Sequence, residues 1–218
     1  MTPTLPKENP FDIPKMPEER TPRYVPPEED FRKVYAVAEG QDRILLLTLI
    51  HLACRRGEVF RLKWDDVNFK DERIRLWTRK RENGTYEYEW LPMTKELRNG
   101  LIWWKENCPI QTDYVFVCIE NKHFCAEYYG KPFAERRHFM RRLCEKAGVK
   151  PFGFHAIRHL SASILYALGD SVSIIQTVLR HKSPTTTERY LKSLGLENVR
   201  EALEKLSFGS TESLALPE

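Results

Sequence analysis

RHKSPTTTERYLKS, residues 180–193, sets a histidine, a helix-start signal and a tyrosine at fixed intervals. Ser183 offers a cap oxygen and Pro184 suits the first helical position. Helix then continues from Thr185, which puts Tyr190 about two turns in and fixes its phenol in space. His181 stands just before that cap, at the end of the helical stretch SVSIIQTVLR, residues 171–180. Upstream, FGFHAIRHLSAS, residues 152–163, opens another helix, and His155 and Arg158, three positions apart, share a face of its first turn. Ile157, Leu160, Ile164 and Leu168 fall on the opposite side at about 100° per residue, so the helix has a packed face and a polar edge.

Working outward, the chain reads as mainly α with a small antiparallel β-sheet, an α+β domain. EEDFRKVYAVAEG, residues 28–40, gathers Phe31, Val34, Tyr35 and Ala38 on one helical face, with Gly40 as a stop. QDRILLLTLIHLACR, residues 41–55, is apolar nearly all round, which predicts a central helix. Arg55 and Arg56 end it and Glu58 opens a short helix, GEVFRLKW, so a guanidinium and a carboxylate meet at a junction held by the core. Residues 67–94 alternate as a hairpin: Ile74 and Leu76 between charges, Tyr86, Tyr88 and Trp90 between glutamates, Asn83-Gly84 at the turn and Lys80 near its tip. TKELRNGLIWWKEN opens at a threonine cap, YVFV (114–117) reads as a short strand, and FAERRHFMRRLCEKAG (133–148) as a basic amphipathic helix ending at Gly148. Four further helical segments follow Pro151.

Composition narrows the function classes. A length of 218 residues can bury one full core, and 35 Lys and Arg against 31 Asp and Glu leave a formal charge of +4, compatible with an anionic partner but too mild to establish one. Five cysteines, an odd number without a CxxC pair, point to reduced thiols, and Cys118, His123 and Cys125 lack a fourth ligand at finger-like spacing. The apolar run from Ile44 to Cys54 is too short for a bilayer and is broken by Thr48 and His51, so no membrane partner is expected and the protein reads as soluble. Eight of the fourteen prolines lie in residues 1–27, which predicts an extended arm.

Arg55 with Glu58 three later, the hairpin lysine, HAIRH, the twenty-three positions from Arg158 to His181, and Tyr190 nine beyond that histidine form one ordered series. In it the chain resembles the catalytic domain of the tyrosine recombinases, or phage-type integrases, from about Glu28 to Leu206. The resemblance implies a catalytic domain over 28–206, an arm over 1–27 leading from an upstream DNA-binding domain, and a tail over 207–218. It implies catalytic roles for Arg55, Lys80, His155, Arg158, His181 and Tyr190, with Glu58 in support. Lys70 is the second choice for the hairpin lysine, with Arg79 or Arg81 as stand-ins. The glycines usual in this family at two places are Ala53 and Arg180 here, and Arg180 alters packing or adds a DNA contact.

Attack on a DNA phosphodiester builds negative charge on the non-bridging oxygens, and two guanidinium groups suit that charge because each stays ionised and can bind two oxygens. On the family's pattern Tyr190 is the nucleophile, His155 accepts its proton or bonds the phosphate, His181 donates to the phosphate, and Lys80 protonates the departing 5′-oxygen. No cofactor and no metal is expected: the sequence has neither a carboxylate cluster for two metal ions nor a phosphate-cradling glycine loop. The implied partner is double-stranded DNA, bound as a homo-oligomer, a tetramer, through a terminal helix with Leu196, Val199, Leu203 and Leu206 in one stripe. The implied location is cytoplasmic. Two alternatives use the same residues: a DNA-binding module without catalysis, and a type IB topoisomerase-like enzyme that relaxes DNA.

Overall fold

The computed structural model describes residues 24–79, 84–120 and 126–181. Their order is helix α1 (Glu28–Val37), α2 (Gly40–Leu52), α3 (Arg56–Phe60), a 3₁₀ turn (Trp64–Asp66), strands β1 (Val67–Asn68), β2 (Arg73–Arg79) and β3 (Tyr86–Pro92), then α4 (Lys95–Asn107), α5 (Phe139–Ala147), α6 (Phe154–Ala167) and α7 (Val172–Leu179).

Helix α2 is the axis of the core, as its unbroken apolar run requires. Leu45, Leu46, Leu49 and Leu52 are all fully buried, with α4 against one side and α6 against another. At the crossing with α4, Gly100 lets the helices close up, since a Cβ there would stand 3.0 Å from Leu47 and 3.2 Å from Ile44. Helix α1 packs on α5, and α7 on α6. Thr94 caps α4 as its type predicts, accepting from the Leu97 N–H at 3.2 Å.

The sheet is three-stranded and antiparallel in the order β1-β2-β3, with Ile74 opposite Leu91 and Trp77 opposite Tyr88. Its inner face carries Ile74 and Leu76 into the core. On the outer face Arg75 lies 5.1 Å from the ring of Trp77 and 5.5 Å from those of Tyr88 and Trp90, so the exposed aromatics are braced by a cation.

Three local readings change. YVFV is fully buried at its last three residues but forms isolated bridges in place of a strand. Side chains satisfy much of its backbone: Gln41 both accepts from and donates to Val117, and Trp104 Nε1 donates to the Val115 carbonyl at 2.6 Å. Helix α5 begins at Phe139, six residues later than its basic pattern suggests, because Arg136 turns inward. Its guanidinium sits 4.5 Å from the Phe133 ring and 4.0 Å from that of Phe139, and it pairs with Asp42 and Glu120. Leu168, assigned to the packed face of α6, caps the helix and is 76% exposed.

Candidate active site

The site grows from the junction after α2. Ala53 leaves the helix in the left-handed region (φ 43°), and Arg55 is extended at the head of α3. Glu58, one turn into α3, reaches back so that the Arg55 N–H donates to its Oε2 and Arg55 Nη1 donates to its Oε1, both at 2.8 Å. Two more donors come from distant parts of the chain: Thr78 Oγ1 from β2 to Oε1 at 2.8 Å, and Arg180 Nη2 to Oε2 at 2.7 Å. Each carboxylate oxygen therefore takes two hydrogen bonds. Burial alone would push this carboxyl up, but the Arg180 charge, the Arg55 N–H and guanidinium and the Thr78 hydroxyl together pull it down to about 2.

Helix α6 contributes Arg158 and His155. Arg158 is only 1% exposed, whereas its position on the polar edge predicts a surface group. It is drawn inward by carbonyls: Nη1 donates to Ala53 at 2.6 Å and Nη2 to Leu179. One guanidinium thus joins the end of α2 to the end of α7. His155 stays exposed, edge-on to the buried His159 ring at 4.8 Å between centroids.

Helix α7 ends at Arg180, which is left-handed (φ 51°) and turns the chain so that His181 follows. The Gln176 side chain holds the His181 carbonyl at 3.0 Å. Burial lowers the His181 imidazole first, and Arg158, Arg55, Arg180 and His155 lower it further, to about 4. Groups from the head of α3, from α6 and from the end of α7 thus all act on one imidazole. Cys54, beside the same arginines, is no rival nucleophile. Burial and Glu58 push its thiol up to about 12 against the pull of Arg180 and Arg158, so it stays protonated at neutral pH.

Arg55, Glu58, His155, Arg158 and His181 are therefore brought together, while Lys80 and Tyr190 lie outside the described residues. So do Arg81 and the terminal helical stripe; Lys70 is exposed. Sequence reasoning missed Thr78, though its place in line with Ile74 and Leu76 on the inner face of β2 was a usable signal. Among the described residues no group of His, Cys, Asp and Glu is arranged to hold a metal ion, and no helix is long and apolar enough to cross a membrane.

Over 194 residues the chain is 29% identical to the tyrosine recombinase XerA of Pyrococcus horikoshii, an alignment covering 82% of this chain and 59% of that protein. The chain thus spans less than two thirds of that relative. Its fold is similar to the crystal structure of XerA recombinase, with TM-score 0.68 at 22% identity over 91% of this chain and 68% of the other. It is also similar to the Tn1549 transposon integrase solved with a circular intermediate DNA, with TM-score 0.66 at 17% identity over 91% and 72%. The match to the phage integrase family runs over residues 27–195, from the start of α1 past both histidine motifs, and the chain belongs to that family.

Proposed function

We propose that this chain is the catalytic part of a site-specific recombinase, which cuts and rejoins double-stranded DNA through a covalent 3′-phosphotyrosyl intermediate. Residues 28–206 form the catalytic domain, 1–27 the arm joining it to an upstream DNA-binding domain, and 207–218 a tail. The observation that carries the reading is the meeting of Arg55, Arg158 and His181, drawn from three helix ends, with Arg158 seated on the carbonyls of Ala53 and Leu179.

In this reaction the phenol oxygen of Tyr190 attacks phosphorus, the bond to the 5′-oxygen breaks, and the 5′-oxygen leaves with a proton from Lys80. Ionising a phenol at neutral pH costs about 4 kcal/mol. Arg55 and Arg158 offset that cost by their charge, and His155, exposed beside them, accepts the phenolic proton or bonds the phosphate. His181, with its imidazole lowered to about 4, is neutral at pH 7 and donates one N–H to a phosphate oxygen. The phosphotyrosyl bond keeps the energy of the diester it replaces. A 5′-hydroxyl from another strand reverses the step without nucleotide or metal. Assembly on DNA is as a homo-oligomer, a tetramer, with the terminal helix of one protomer docked on the next, and the reaction takes place in the cytoplasm.

Incubation with a nicked suicide DNA substrate tests the reading. A covalent adduct that forms in EDTA and vanishes in Tyr190→Phe is the expected result. Binding with no adduct would reduce the chain to a DNA-binding module, and relaxation without partner-site joining would make it topoisomerase-like.

A further inference from the structure

Arg180 occupies a conformation that disfavours it. At φ 51° and ψ 48° a Cβ is crowded, and glycine would sit there at no steric cost. The side chain must therefore be held by something. It is 2% exposed, and its guanidinium reaches three places: Glu58 Oε2 at 2.7 Å, the Leu52 carbonyl at 3.1 Å and the Val178 carbonyl at 3.1 Å. Nε is buried without an acceptor among the described residues, so the group is fixed by its two terminal nitrogens alone. A guanidinium this deep is committed to Glu58 and two carbonyls. Its influence on a phosphate must pass through what it touches.

The carboxylate it touches is shared. Among the described residues Glu58 takes two of its four hydrogen bonds from Arg55 and one from Arg180, and these are the two cations bonded to it there. Arg55 keeps 40% of its side-chain surface exposed while it donates to Glu58. Without Arg180, Arg55 would be the only bonded counter-charge among the described residues to a buried carboxylate and would be drawn further onto it, away from any ligand. We propose that Arg180 is a positioning residue: through Glu58 it relieves Arg55 of neutralising the buried carboxylate and so keeps that guanidinium turned toward the scissile phosphate. The inference rests on the strand-transfer reading above.

The test uses the full chain, the nicked suicide substrate at saturating concentration, and the variants Arg180→Met, Arg180→Lys and Glu58→Gln. Arg180→Met is expected to slow single-turnover adduct formation by about 10- to 100-fold while leaving DNA affinity within about twofold, because the loss is one of orientation. The acid limb of its rate profile should move to higher pH, since Glu58, now facing Arg55, the Thr78 hydroxyl and the Cys54 thiol among the described residues, takes up a proton more readily. Around the neighbouring His181 the charges that remain are Arg55, Arg158 and His155. Arg180→Lys should recover part of the rate.

Removing one member of a buried pair can prevent folding, and a second comparison covers that case. With Glu58 already neutral, Glu58→Gln and Glu58→Gln/Arg180→Met should cleave at the same rate. Wild-type rate and pH profile in Arg180→Met overturns the proposal, as does a slower rate with an unmoved acid limb, or a further tenfold loss in the double variant. Absence of adduct from the unaltered chain overturns the parent reading and this one with it, whereas an adduct indifferent to Arg180→Met overturns this one alone.

Discussion

The hydroxyl of Thr78, on the inner face of β2, donates to Oε1 of Glu58 at 2.8 Å across twenty positions of sequence. It fastens the hairpin strand that runs toward Lys80 to the junction carrying Arg55. Thr78→Val keeps the branched shape but leaves a buried carboxylate oxygen one donor short. The expected outcome is a loss of about 1–2 kcal/mol in urea unfolding, together with slower adduct formation on the suicide substrate.

Glu58 links stability to acid. Its carboxyl falls from an ordinary 4.5 to about 2, because the Arg180 charge and the Arg55 and Thr78 donors overcome burial. A depressed carboxyl stabilises the fold in full above its unfolded value, and that contribution is lost as pH drops from about 4.5 toward 2. It is worth about 3 kcal/mol. Denaturant midpoints measured from pH 7 to pH 3 should fall for the unaltered protein, and Glu58→Gln should start lower and fall less steeply.

His181 is a probe of the site's field. Burial and then Arg158, Arg55, Arg180 and His155 hold its imidazole near 4. An NMR titration should find its midpoint more than one unit below the ordinary histidine value of about 6.5. Saturating a phosphodiester ligand should raise that midpoint, because an anion beside the arginines offsets the repulsion they impose. A free-protein midpoint at the ordinary value would contradict the convergence of those charges.

Ala53 tests the left-handed corner. Replacing it by glycine relieves a strain of about 1–2 kcal/mol but removes a fully buried methyl worth about 0.8 kcal/mol and loosens the unfolded chain. These nearly cancel, so Ala53→Gly should leave thermal stability almost unchanged. Ala53→Val has no such balance: a β-branched residue resists φ 43° and must also fit between Ala162, Ile175 and Leu179. A loss of about 2–4 kcal/mol in urea is expected.

What could be read from the sequence was local or ordered. The apolar periodicity of α2, the Thr94 cap, the hairpin alternation and the pairing of Arg55 with Glu58 all lie within one or two turns or strands, where spacing dictates contact. Arg158 was identified but misplaced. Periodicity put it on a solvated edge, whereas two carbonyls from remote helix ends pulled it inside. Arg136 deceived in the same way, since Asp42 is 94 positions away. The tie between Arg180 and Glu58 spans 122 positions and joins two charged residues whose types alone suggest solvent. Only folding discloses such partners.

The acceptors that seat Arg158 are peptide oxygens of Ala53 and Leu179, not side chains. No substitution at 53 or 179 can delete them so long as the backbone keeps its path. In a saturation scan scored for strand transfer, position 158 should then be intolerant even of lysine, which lacks the two-pronged shape. Sensitivity at 53 and 179 should instead follow side-chain size and backbone geometry. The architecture thereby lets one end of a vital contact drift in identity while the other is frozen.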